Sequence, residues 1–113
     1  ALALLKEGGV DLRAVAETGA PTGIALILVG GDGENMIAVV PGANGEVGPD
    51  RLAELSFGRG EVVLLQQEVP LDTVEKALAV ARRGGAVSIL NTAPYRAEAA
   101  RFVQATISQS LER

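Results

Sequence analysis

EVVLLQQEVPLDTVEKALAVARRGGAVSILN, residues 61–91, decides the architecture. Its first part, EVVLLQQ, is a short apolar run rich in Val and Leu. Such a run marks a buried parallel strand, since a half-exposed antiparallel strand alternates apolar with polar. Pro70 and Asp72 then introduce LDTVEKALAVARR, in which Leu71, Val74, Leu78 and Val80-Ala81 recur at helical spacing. Gly84-Gly85 supplies the helix stop. AVSILN follows as a second apolar run, so residues 61–90 predict strand, helix, strand: one right-handed βαβ unit.

Working toward the N-terminus, TGIALILVG (22–30) and MIAVVPG (36–42) are two β-rich runs separated by GDGEN. Gly31, Asp32, Gly33 and Asn35 tolerate the positive φ of a tight turn, which predicts a hairpin. VDLRAVAET (10–18) alternates through Val10, Leu12, Ala14 and Ala16 and predicts a further strand with one wet face. Ala1 to Glu7 has helical composition and stops at Gly8-Gly9. Between the hairpin and the βαβ unit, Pro49 stands at a helix-start position ahead of RLAEL, with Gly58 and Gly60 closing the segment. The tail from Ala97 to Arg113 is helix-compatible, although Thr106, Ile107 and Ser108 weaken it.

The 113 residues suffice for one domain with a sizeable core. Nearly half are hydrophobic but only 3% are aromatic, so that core must be built from Ala, Val, Leu and Ile on regular elements. A net charge of -4 repels a polyphosphate backbone and argues against nucleic-acid binding. With neither cysteine nor histidine, thiol and Ser-His-Asp chemistry and the common zinc sites are excluded. No apolar run approaches the roughly 20 residues of a membrane span, and ALALLKEGGV meets a charge too soon for a signal peptide. A soluble, cytosolic protein is expected.

Several motifs in order, GEN at the hairpin turn, then GAN, then QQE followed by Pro, then NTAP, resemble the ribokinase branch of the PfkB-type carbohydrate kinases. The resemblance runs from about Leu4 to Arg96. It implies an α/β, truncated ribokinase-like fold: a β-hairpin lid region plus a βαβ core, a remnant of a three-layer α/β architecture. Lid-type strands would occupy about 10–44 and the core portion 49–113, within a single domain. In such kinases the lid closes over the sugar and also forms the subunit contact.

Carried residue by residue, the resemblance puts Ala25, Ile27 and Val39 where lid side chains contact the bound sugar. Glu68 stands where a carboxylate at a strand end approaches a sugar hydroxyl, and Asn91 lies at the end of the next strand beside the cleft. Strand ends are also where ligands bind in open α/β sheets on general grounds. Plainer roles stay open for each. Glu68 either faces sugar or solvates the turn before Pro70 and the helix dipole. Alternate apolar residues on a hairpin commonly face only what the sheet packs on, and Asn91 serves equally as a turn residue. GGDGEN joins two strands and opens no helix, which argues against a phosphate loop.

The resemblance places the catalytic aspartate with its anion hole, the magnesium-linked NxxE motif and the nucleotide pocket in segments absent from this sequence. No catalytic or metal-ligating residue is therefore assigned, and ATP and Mg are expected only for a complete family member. The expectation is a kinase-derived chain that carries part of a sugar site, is not competent for phosphoryl transfer alone, and covers its exposed strand edges by forming a homodimer. Two alternatives stand beside it: a pentose kinase site completed by another chain, and a sugar-binding module without catalysis.

Overall fold

Residues 2–102 are described by the computed structural model of the chain. The expected βαβ unit is present: strand β3 (Val62–Leu65), helix α2 (Leu71–Gly84) and strand β4 (Val87–Leu90), with β3 and β4 paired in parallel. Their ladder continues past the strand ends, where the Asn91 N–H donates to the Leu65 carbonyl (2.8 Å) and the Gln67 N–H to the Ala93 carbonyl (3.1 Å). The α2 stripe that goes inside is Thr73, Val74, Ala77, Val80 and Ala81. That spacing follows one face of a 3.6-residue helix. Leu71 and Leu78, expected in the core, are only partly buried and pack at its margin with Leu65, Val69 and Leu90 around Val74, Ala99 and Phe102.

Charges complement the α2 dipole, with Asp72 in its first turn and Arg82 and Arg83 in its last. The Asp72 carboxylate also accepts from the Thr73 N–H at 2.8 Å. At the other end Gly85 is left-handed (φ 80°), and the Ala86 N–H reaches back to the Ala81 carbonyl (3.0 Å), a Schellman closure. Gly84 has a separate reason to be glycine, since a Cβ there would collide with the Phe57 carbonyl oxygen.

β1 (Ile24–Val29) and β2 (Asn35–Val40) form the expected antiparallel hairpin, in register Ile24↔Val40 through Val29↔Asn35. Its turn satisfies itself: the Gly30 N–H donates to the Glu34 carbonyl (2.8 Å), the Gly33 N–H to the Gly30 carbonyl (3.0 Å) and the Glu34 N–H to the Asp32 carboxylate (3.1 Å). These amides are engaged within the turn and offer no cradle to an anion. Side chains of both hairpin faces are exposed.

Helix α1 (Leu2–Glu7) ends at Gly8-Gly9 as expected, and Pro49 opens a 3-10 turn, Pro49–Leu52. The strand expected over 10–18 is not formed. Instead the Val15 N–H donates to the Leu12 carbonyl (2.9 Å), and Asp11 binds both the backbone N–H and the guanidinium of Arg13. These i to i+3 and i to i+2 bonds curl the segment locally, and Ala14 and Ala16 bring little β-propensity to oppose them. The expected cover on both faces of the parallel strands is also one-sided. α2 covers the face of Val63, while Val62, Leu64, Val87 and Ile89 on the other face are exposed. The tail enters a 3-10 turn at Ala97–Ala99 and continues helical to Phe102; the rest of the expected helix lies outside the described residues.

Candidate functional site

The two segments flanking the hairpin are held together at its base by close backbone contact. The Ala43 N–H donates to the Pro21 carbonyl (2.8 Å), and a Cβ on Gly23 would sit 2.6 Å from the Pro41 carbonyl oxygen. The 3-10 turn Gly42–Glu46 then leads to Val47, whose carbonyl accepts the Thr73 hydroxyl (2.6 Å). Through that bond the segment after the hairpin is fixed to the first turn of α2.

Between these parts lies a cleft of about 320 Å³. Its size is at the small end of ligand pockets, which run from about 300 to 1,000 Å³. Ile24, Ala25, Val39 and Val40 from the hairpin form an apolar wall, extended by Pro41 and Pro94. Ala25 and Val39 are direct cross-strand partners, which is why one cleft receives both. The polar lining is Glu68, Asn44 and Arg96.

Three of the five residues expected from sequence thus meet: Ala25, Val39 and Glu68. Ile27 and Asn91 are not in the lining. Ile27 shares the face of Ala25 but stands two residues farther from the hairpin base, about 7 Å along the strand. Asn91 is committed through its backbone to the parallel ladder and lies on the neighbouring strand end.

Glu68 is exposed, and its carboxylate caps nothing; α2 starts at Pro70 without a side-chain cap, and the carboxylate bonded within its first turn is that of Asp72. Its backbone N–H is engaged by the Gln66 side-chain oxygen, which shapes the turn after β3. Beside it, Gln67 is wholly buried with neither amide nitrogen nor amide oxygen hydrogen-bonded. Sequence reading had assigned no role to Asn44, Pro94 and Arg96. They come from irregular segments without periodicity, and their only sequence signal was that Asn44 and Pro94 belong to the GAN and NTAP motifs and that Arg96 follows the latter.

Among the described residues there is no group of three or more Asp, Glu, His or Cys placed to hold a metal ion, and no helix long and apolar enough to cross a membrane.

Residues 1–109 match the pfkB family of carbohydrate kinases. The ribokinase of Schizosaccharomyces pombe is 36% identical over 93 residues, covering 80% of this chain and 29% of that protein. The solved ribokinase of Giardia lamblia superposes with a TM-score of 0.71 at 32% identity, over 86% of this chain and 34% of its own. A ribokinase of Cryptococcus neoformans solved with ADP gives 0.66 at 28% identity, over 87% of this chain and 32% of its own. The chain therefore spans about a third of the length of the relatives it matches. By this match and these superpositions the chain belongs to the pfkB family of carbohydrate kinases and has a ribokinase-like fold.

Proposed function

We propose that the cleft is a pentose-binding site, in a protein whose overall activity is ATP-dependent phosphorylation of a ribose-like sugar. The observation that carries this reading is the meeting of Ala25 and Val39, from the hairpin, with Glu68, from the turn after β3, in one pocket of sugar size. Apolar side chains suit the C–H face of a sugar ring. An ionised carboxylate accepts two or more hydroxyl hydrogen bonds, and free Glu68 has no competing partner among the described residues. Ile27 and Asn91 join the site only on closure of the hairpin over the sugar.

Phosphoryl transfer requires alignment and charge stabilisation of the moving group in addition to sugar binding. The described residues supply the sugar contacts, so ATP and magnesium belong to the proposal for the whole protein and are assigned to none of them. The same reading includes a cytosolic setting and a homodimer. Support for the dimer is the hairpin, whose Leu26, Leu28, Val29 and Met36 are all more than 60% exposed. Light scattering that gave a monomer at micromolar concentration removes that part.

Calorimetry with D-ribose tests the site. Saturable heat is expected for the 113-residue chain and its loss in Glu68→Ala; no heat at millimolar sugar refutes the pentose site.

A further inference from the structure

We infer that Arg96 is a second sugar-binding residue of the cleft, one that donates hydrogen bonds to pentose oxygens where Glu68 accepts them. This rests on the reading of the cleft as a pentose site. Every other lysine and arginine among the described residues is exposed, whereas Arg96 is half-buried and lines the cleft. A guanidinium taken partly out of water ordinarily acquires an anionic or hydrogen-bonding partner. Among the described residues Arg96 has none: the ion pairs there are Arg13–Asp11 and Arg101–Glu75. Glu68 lines the same cleft, yet the two groups are not within 4.0 Å of each other, the distance at which they would form an ion pair.

Two opposite charges that share a pocket without pairing leave both sets of hydrogen-bonding sites directed at whatever enters. Carboxylate oxygens only accept and guanidinium N–H groups only donate. Each sugar hydroxyl does both, so one polyol satisfies both residues at once. An anion suits the pocket less well, because it would meet the Glu68 carboxylate. The Arg96 backbone is steady enough for this role: it is extended (φ −131°, ψ 121°), and its carbonyl accepts the Ala99 N–H at 3.0 Å.

The test is an amide-resolved NMR titration of the 113-residue chain with D-ribose, repeated with Arg96→Gln, Arg96→Lys and Glu68→Gln. Arg96→Gln is expected to raise the Kd about tenfold or more, the loss of a charged hydrogen bond, with an unchanged melting temperature. Arg96→Lys is expected to recover only part, lacking the planar fork. Titration with singly deoxygenated pentoses adds a readout that a structural role would not move. One deletion should weaken binding to the wild type and leave binding to Arg96→Gln unaffected.

Equal ribose affinity in wild type and Arg96→Gln overturns the assignment, and so does full affinity in Arg96→Lys if Arg96→Gln fails to fold. Wild-type binding that depends on Glu68 but not on Arg96 removes Arg96 alone. A wild type that responds to no pentose removes the pentose site and this inference together. Saturation by inorganic phosphate in preference to ribose overturns the neutral-sugar class.

Discussion

Replacing Gln67 with methionine should stabilise the protein. Gln67 is 0% exposed, and neither its amide nitrogen nor its amide oxygen is hydrogen-bonded. Its position explains the burial. Residues Val63, Leu65 and Gln67 alternate along one side of β3 and its extension, toward α2, and Gln67 is the polar member of that row. A buried amide left without partners costs about 1–3 kcal/mol by mutational measures. Methionine keeps the unbranched length, fills the same space and has no strong polar group to desolvate. The gain should therefore be about 1–3 kcal/mol, and each kcal/mol should lift the melting temperature by about 4–8 °C in a chain of this size.

Urea and thermal unfolding of the two proteins measure it, with an unchanged m-value confirming that the same surface unfolds. Gln67→Glu, which puts a charge in the same envelope, should destabilise at neutral pH and recover as the carboxyl is protonated in acid. A Gln67→Met protein less stable than wild type would refute the reasoning, because it would mean that the amide is satisfied.

Gly84→Ala should destabilise despite alanine's better helix propensity of about 1 kcal/mol, because the new methyl meets the Phe57 carbonyl oxygen; a raised melting temperature would contradict that contact. The hydrogen bond from the Arg13 guanidinium holds the Asp11 carboxyl down, to about 2 from its ordinary 3.8. Because the folded value is the lower one, whatever the pair contributes is fully present above pH 3.8 and is lost as pH falls toward 2. Carboxyl NMR should find Asp11 still ionised at pH 3, and Arg13→Ala should raise its midpoint only part of the way to the ordinary value, because the residue 13 backbone N–H still donates to the carboxylate; an unchanged midpoint in that variant would disprove the side-chain pairing.

The elements that the chain declares most openly are those in which local chemistry and tertiary contact agree. α2 carries its apolar stripe, its acidic start and its glycine stop in sequence, and all three are used. The hairpin is announced by a glycine-rich turn between two β-branched runs, and its register then places Ala25 opposite Val39. Alternation misled at 10–18, because the Asp11 side chain binds the chain two residues on and competes with an extended backbone. The uniform apolarity of Val62 to Leu65 was read as cover on both sides, whereas α2 supplies one. In the cleft, Glu68 was legible as a strand-end carboxylate. Asn44, Pro94 and Arg96 were not, since they converge only through the path of irregular backbone.

The Thr73 hydroxyl that reaches the Val47 carbonyl fixes more than a helix end. From the sheet base at Ala43 to Val47 is one short stretch of chain, and Thr73 lies only five residues beyond Glu68. The two jaws of the pocket are thus pinned near a common pivot, so any widening is a swing about residues 43–47 and not a parallel sliding apart, with the free tip of the hairpin sweeping the longest arc.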